Sequence, residues 1–327
     1  MGKTRLGFDL GSSSMKIAVL RDNRVVRLEE VRLPENMVDE GGNIALPHAF
    51  AQFLKQTKKE LSLPRAQAAL VLPPSQVICR LVSMPKMTTD QLLMNLPYEF
   101  TDFIQGVADQ YYCDYAMCEP AEGEDPANGL PMMAAAASKE VLAGYYRMFA
   151  QAGIRLKTVL PQEMALIQLA QSQPQGEEFC FVDLGHQFTR ITVVWKDRVQ
   201  ATRQIGMGGR NLDLVVAGEL GVDAFLAGTY KAGNYQNVLS VPAVAEVCEH
   251  IAVEILKVIN FYQFTHRSSS LEGVYLVGGG AAMPLLRQSI ADVAGLALLD
   301  PAELLHGAQE GAAAGVFAAG GAMGGKA

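Results

Sequence analysis

One stretch of this chain occurs twice. Residues 8–25 read FDLGSSSMKIAVLRDNRV, and residues 182–199 read VDLGHQFTRITVVWKDRV. They align without a gap: Asp9 falls on Asp183, Gly11 on Gly185, Lys16 on Arg190, Val19 on Val193 and Arg24 on Arg198. An internal duplication limits the possible architectures before any single motif does. Two copies this far apart predict two related half-domains and not a stack of short repeats. Each copy has the pattern of a β-hairpin, in which an apolar strand ends in Asp, a Gly-centred turn follows and an alternating strand leads out.

Such a turn has a definite chemistry. Glycine lets a ligand approach the main chain closely, and successive backbone N–H groups form a concave anion site. In the first copy Ser12, Ser13 and Ser14 add hydroxyls, and Lys16 adds a compact charge suited to phosphate oxygens. Asp9 stands at the mouth, where a carboxylate can hold a hydrated Mg²⁺, an ion that keeps most of its waters and takes few protein ligands. Two such hairpins facing each other would grip a polyphosphate and its metal from both sides. A lone DxG turn is a weak signal; the doubled Asp, Gly and basic residue carry the expectation.

The remaining composition narrows the class. The chain has 327 residues, half of them hydrophobic, enough for a sizeable core and two domains. Net charge is −7, which argues against nucleic acid as a main partner. No apolar run reaches the ~18–20 residues that cross a bilayer, and the start leads directly into a strand, so neither a signal peptide nor direct membrane insertion is expected. The five cysteines form no CxxC and read as reduced thiols of a cytoplasmic protein. The five histidines have no zinc spacing.

Between the two hairpins the pattern changes at Pro73-Pro74. Residues 75–153 read as a β-α-β-β-α unit: a strand over 77–84, a helix capped by Thr88 or Thr89 that Pro97 splits, strands over 110–117 and 132–137, and a helix over 140–152. The unit has no catalytic constellation and reads as an interaction surface. After the second hairpin, Gly208-Gly209 opens a helix whose first-turn N–H groups are expected to be free for an anion or ribose. Residues 242–265 form a long amphipathic helix. A buried strand then runs into Gly278-Gly279-Gly280, bare backbone against which a planar base or ribose can lie, and Pro284 starts the next helix. The C-terminal AAAGVFAAGGAMGGKA is expected to be a small-residue helix fraying into a disordered tail.

DLGSSSMK, VDLGHQFTR, GMGG and YLVGGGAAMPLL occur in the order of the actin-like ATPase superfamily and resemble its two phosphate loops and its adenosine loop. The stretch VLPPSQVICRLVSMPKMTTDQLLMNLPYEFTDFI…YYCDY resembles the insert of the PilM family, cytoplasmic actin-like proteins of type IV pilus assembly. The resemblance implies an α/β fold, the duplicated two-lobed actin-like (ribonuclease H-like) ATPase fold with an inserted β-α-β-β-α subdomain. Residues 1–74 and 154–178 would be the first lobe, 75–153 the insert, 179–210 and 242–327 the second lobe, and 211–241 a small subdomain. It implies ATP and Mg²⁺ as ligands. Asp9 and Asp183 would lie on the metal side; Gly11, Ser12, Ser13, Ser14 and Lys16 would hold phosphates, opposed by Gly185, His186 and Gln187. Gly208 and Gly209 would lie by the ribose, and Gly278, Gly279, Gly280 and Met283 by the adenosine. Glu163, at a helix start, would orient a water or simply complement the helix dipole.

His186 stands where that superfamily usually has Gly or Ala, so at most slow Mg²⁺-dependent hydrolysis is expected. The implied partner is the N-terminal cytoplasmic peptide of a PilN-like inner-membrane protein, with other proteins of the pilus inner-membrane complex, which would hold the chain at the membrane. Val77, Cys79, Leu81, Met87 and Leu92 are expected to line the peptide groove. The alternatives are an FtsA-like division filament, which the absence of an amphipathic face in GGAMGGKA disfavours, and a small-molecule kinase, for which no carboxylate base presents itself.

Overall fold

The computed structural model describes residues 3–39, 42–104, 106–120, 129–173, 178–267, 269–295, 297–306 and 311–323. The first hairpin is β1 (Thr4–Leu10) and β2 (Ser14–Arg21), followed by β3 (Arg24–Arg32), α1 (Pro47–Glu60) and β4 (Gln67–Leu72). The insert supplies β5 (Val77–Met84), α2 (Thr89–Asn95), β6 (Tyr111–Met117), β7 (Leu130–Ser138) and α3 (Lys139–Gln151). Then come β8 (Arg155–Pro161) and a linking helix, α4 (Gln162–Gln171). The second half begins with β9 (Glu178–Leu184), β10 (Thr189–Trp195) and β11 (Arg198–Ile205), then α5 (Gly209–Leu220), α6 (Ala224–Ala232) and α7 (Pro242–Thr265). It ends with β12 (Gly273–Val277), α8 (Pro284–Ala294), β13 (Ala297–Leu299) and α9 (Ala312–Met323).

The duplication extends well beyond the repeated letters. One sheet has the order β3-β2-β1-β4-β8 and the other β11-β10-β9-β12-β13, each an antiparallel meander continued by two parallel strands. Even the irregularity is repeated: β2 slips against β3 between Val19 and Leu20, and β10 slips against β11 between the aligned Val193 and Val194. A bulge at the same aligned position in both halves adds the same local twist to each sheet, and both expected half-domains are present.

Two helices cross between the sheets. The core there joins Ala18 and Val71 of the first sheet to Phe181 and Val277 of the second through Leu166 of α4 and Val316 and Phe317 of α9. α9 lies against the first sheet although it follows the second, and small residues make that possible. A Cβ on Gly7 would stand 1.8 Å from the Ala318 carbonyl oxygen, and one on Gly320 would stand 2.3 Å from that of Ala165. The expected small-residue helix is therefore a buried strut, and residues 324–327 after it lie outside the described residues.

The insert has the expected element order. Its sheet runs β5-β7-β6, all antiparallel. Thr88 caps α2 in a reciprocal box with Gln91, and the helix stops at Asn95, two residues before Pro97, giving way to a 3₁₀ turn over Leu96–Phe100. One face of the sheet carries α2; the other packs on the lobes. α3 packs beside α1 on the outer face of the first sheet, with Phe149 edge-on to Phe8 at 5.2 Å. The acidic stretch 121–128 lies outside the described residues. α6 and β13 were not expected.

Candidate functional site

Both Gly-centred turns close identically: Gly11 N donates to Ser14 O at 3.0 Å, and Gly185 N to Phe188 O at 3.1 Å. Pairing across each hairpin sets Asp9 opposite Lys16 and Asp183 opposite Arg190. The two turns meet at one cleft of about 840 Å³, within the range of small-molecule and cofactor sites. Every residue expected at phosphate, ribose, adenosine and metal borders it: Asp9, the first turn with Lys16, Asp183, the second turn through Gln187, Gly208-Gly209, Gly278-Gly279-Gly280 and Met283.

The details differ from expectation at several points. Ser14 is buried and its hydroxyl donates to Glu30 at 2.6 Å, so of the three serines of the turn it is not available to a phosphate. The helix-start N–H groups at Gly209 and Arg210 are not free for an anion, because they donate to the carbonyls of Gly185 and His186 at 3.0 and 2.7 Å. Gly208 is needed for that close seat, since a Cβ there would stand 2.7 Å from both carbonyl oxygens. Gly278 adopts φ +83°, open to glycine, and lies so near Asp183 that a Cβ would stand 2.3 Å from its Oδ1. Gly279 has nothing within 4 Å of its Cβ position and offers bare backbone to the cleft.

Glu163 is not at the cleft surface. It is buried beneath the floor with one oxygen 3.5 Å from Arg190 and the other without a partner. The residue before it, Gln162, borders the cleft and helps hold down the pKa of Asp9. His186 turns its Nδ1 to Asp213 of α5 at 3.5 Å, and burial, more than the surrounding charges, holds its imidazole below its usual pKa. Asp213 also takes Lys231 of α6 at 2.6 Å. Sequence reasoning missed Gln162, Asp213 and Lys231. Only Gln162 carried a signal, its place beside the helix-start Glu163.

The electrostatics concern the two aspartates. Burial lifts Asp9 to about 6, partly offset by Lys16 and Gln162. Burial lifts Asp183 to about 7, reinforced by the charge of Asp9 and offset by Lys16 and Arg190. Asp9 Oδ1 is buried with no hydrogen-bond partner. Two desolvated carboxylates, the charge of Asp9 raising Asp183 and one Asp9 oxygen orphaned, form a place where a cation would relieve both. Among the described residues no group of three or more His, Cys, Asp or Glu is placed to hold a metal ion.

A family model described as type IV pilus assembly protein PilM matches residues 7–307. The chain belongs to the PilM family. No curated protein sequence matches it. Among solved structures it resembles the PilM–PilN type IV pilus biogenesis complex, with TM-score 0.80 and 22% identity over 98% of this chain and 97% of that one. The ethanolamine utilization protein EutJ from Carboxydothermus hydrogenoformans gives 0.61 and 18% over 99% and 89%. MreB5 of Spiroplasma citri bound to AMPPNP gives 0.52 and 11% over 98% and 95%. These establish the actin-like ATPase fold.

In this PilM-family chain the five residues expected in a peptide groove do not come together. Alternation along β5 sends Val77, Cys79 and Leu81 to the face that meets the lobes, where Val77 is buried. Met87 and Leu92 join the opposite face under α2, with Leu92 buried. An open groove of about 490 Å³ lies instead where the insert meets the first lobe. Its walls are residues 43–48 with Gln76 on one side and α3 on the other, and Tyr145 donates to Gln76 across it at 2.8 Å. Gly144 lines it, with nothing within 4 Å of its Cβ position. Among the described residues no helix is long and apolar enough to cross a membrane.

Proposed function

We propose that this PilM-family chain is a cytoplasmic, ATP-binding scaffold of type IV pilus assembly or a related type II secretion machine. It would hold the N-terminal cytoplasmic peptide of a PilN-like inner-membrane protein and, through it, the other proteins of the inner-membrane complex. The observation that carries the reading is the convergence of the duplicated aspartate turns on one cleft where Asp9 Oδ1 lacks a partner. Bound Mg²⁺ would neutralise the phosphates and this pair of carboxylates together. Asp9 and Asp183 would hold the ion's waters, and Lys16 with the Ser12 and Ser13 hydroxyls would take phosphate oxygens. The glycines at 278–280 and Met283 would seat the nucleoside. Hydrolysis is slow at best in this reading, because the residue beside Asp9 is the neutral Gln162, which can orient a water but cannot take its proton.

The peptide's seat is the groove between residues 43–48 and α3. The test is a titration with ATP, with and without Mg²⁺, and one with a labelled peptide from the host's PilN N-terminus. Saturable Mg²⁺-dependent nucleotide binding is expected. Gly144→Trp should fill the groove and abolish peptide binding while leaving nucleotide binding intact. A peptide that binds this variant as well as the wild type sits elsewhere, and a chain that binds no nucleotide is not an ATP scaffold.

A further inference from the structure

The outermost layer of the insert is α2 and the turns after it. Leu92, Leu96 and Phe100 sink into Val82, Met84 and Met132 of the sheet. The other side of the same segment is bare. Met94 and Tyr98 are each 73% exposed, Val107 62%, Phe103 53% and Leu93 42%. Leu93, Met94 and Tyr98 recur at the spacing of one helical face. Large apolar side chains clustered this densely on a solvent-facing layer mark a contact surface, unlike hydrophobics scattered singly.

The charge of the same region is one-sided. Between Met87 and Ser138 there are nine Asp or Glu and no Lys or Arg. The whole chain has 34 acidic and 27 basic residues, so outside this segment 25 acidic residues face 27 basic ones. The negative charge is thus concentrated in this segment, and the rest of the chain is close to balanced. Asp90 and Asp102 flank the apolar face, are exposed and form no ion pair among the described residues. The cations bordering the segment are Lys86, exposed, and Lys139, whose amine lies 5.3 Å from the Tyr112 ring centroid. Arg80 of β5 is engaged, donating to Glu99 O at 2.8 Å with its guanidinium 4.3 Å from the Phe103 ring centroid.

We propose that this face docks a cationic amphipathic helix of a partner protein. The partner's apolar side would lie on Leu93, Met94 and Tyr98, and its Lys or Arg side chains would reach Asp90, Glu99 and Asp102. An anionic lipid surface is repelled by such a face. Strand addition is disfavoured, because α2 and its 3₁₀ continuation offer side chains and have their backbone groups tied within the turns. Pliable methionine beside aromatic side chains adapts well to the ridges of a helix. The surface is remote in composition from the cleft and the groove, with which it shares no lining residue, so its occupancy stands apart from the nucleotide and PilN readings.

The probe is a fluorescein-labelled model helix with Leu on one face and Lys on the other, titrated into the full chain at physiological salt. Saturable binding with a gain of peptide helicity is expected. The Met94→Glu/Tyr98→Glu double variant separates docking from mere attraction, because it makes the face more acidic. Docking predicts binding weaker by about tenfold or more; unchanged or tighter binding overturns the proposal. Asp90→Asn/Asp102→Asn should weaken it about fivefold, and Phe264→Glu, an exposed apolar site on α7, should leave it unchanged. A concentration-dependent dimer that the double variant abolishes would give the face to a second copy. Sedimentation with phosphatidylglycerol vesicles that the same variant abolishes would give it to a membrane. Either result refutes the helix.

Discussion

Replacing Asp9 by Asn should stabilise the ligand-free protein while removing what the site is for. Burial carries this carboxyl from 3.8 to about 6 and Asp183 from 3.8 to about 7. Both folded-state values lie above the unfolded ones, so the fold favours the protonated forms. Their contribution is complete below about 4 and is lost as pH rises through about 6 for Asp9 and about 7 for Asp183. At about 1.4 kcal/mol per pH unit, ionised Asp9 costs the empty fold about 3 kcal/mol. Asn mimics the neutral form at every pH and also relieves Asp183 of a neighbouring charge. At about 2 °C per kcal/mol for a chain of this size, Asp9→Asn should raise the melting midpoint at about pH 8 by about 6 °C. At about pH 5 about half of that gain should remain, because the aspartate of the unfolded chain is already ionised there, and only below about pH 4 should it vanish. Mg²⁺-ATP should reverse the order, raising the wild type and leaving the variant where it was. Differential scanning fluorimetry at the two pH values, with and without Mg²⁺-ATP, reads all four cases. A variant that melts below the wild type at the higher pH without ligand, or gains as much from Mg²⁺-ATP, would show that the aspartate is structural.

Arg32, at the end of β3, reaches across to α6 of the second lobe, donating to Thr229 Oγ1 at 2.7 Å with its guanidinium 4.5 Å from the Phe225 ring centroid. Arg32→Ala should speed nucleotide release by about fivefold, the worth of roughly 1 kcal/mol of exposed cation–π and hydrogen-bond contact, measured by stopped-flow with a fluorescent ATP analogue. Gly7→Ala places a methyl where the Ala318 carbonyl oxygen stands 1.8 Å away and should cost about 3 kcal/mol or more in urea unfolding. Gly279→Ala, with open space at its Cβ, should unfold like the wild type yet bind nucleotide more weakly. Gln162→Ala should lower any ATP turnover at least about tenfold, whereas Glu163→Gln should leave turnover within about twofold because Glu163 faces Arg190 and not the cleft; equal losses in a phosphate-release assay would place both at the reacting phosphate.

The lines of inference that survived from sequence to structure are those in which one residue's type fixes its own surroundings. Asp-Leu-Gly before an alternating strand sufficed for both hairpins, and α2 gives way at Pro97 because proline has no N–H to donate and its ring crowds the carbonyl four residues back, while Leu96 before it stays helical and opens the 3₁₀ turn. What failed needed a second element's position. Val77, Cys79 and Leu81 share one face of β5, and nothing in their spacing says that this face meets the lobes while α2 covers the other. The Gly209 and Arg210 N–H groups look free in sequence, and they are spent on carbonyls of a loop more than twenty residues earlier in the chain. Lys231 left no trace at all. α6 has no apolar stripe, and its pairing with Asp213 exists only because α6 folds back against α5.

The two copies differ most instructively where they still align. Lys16 faces Glu30 across β2 and β3, with Nζ 3.7 Å from the carboxylate. Arg190 faces Gln204 in the same register across β10 and β11. An amide can accept one hydrogen bond from Arg190 but cannot neutralise it, so the guanidinium keeps an unmet charge and turns it to Glu163 on α4, 3.5 Å away. In the first lobe, then, the basic residue is held by its own sheet and stays beside Asp9 at the cleft. In the second, the change from Glu to Gln releases it to tie the sheet to the helix that joins the lobes. Lys16, Arg190 and Lys231 all border the cleft, but Arg190 is tied to Glu163 at 3.5 Å and Lys231 to Asp213 at 2.6 Å, whereas Lys16 is held by its own sheet opposite Asp9. The aligned basic residues thus differ in what they hold: one stays within its sheet, and the other ties its sheet to the helix between the lobes.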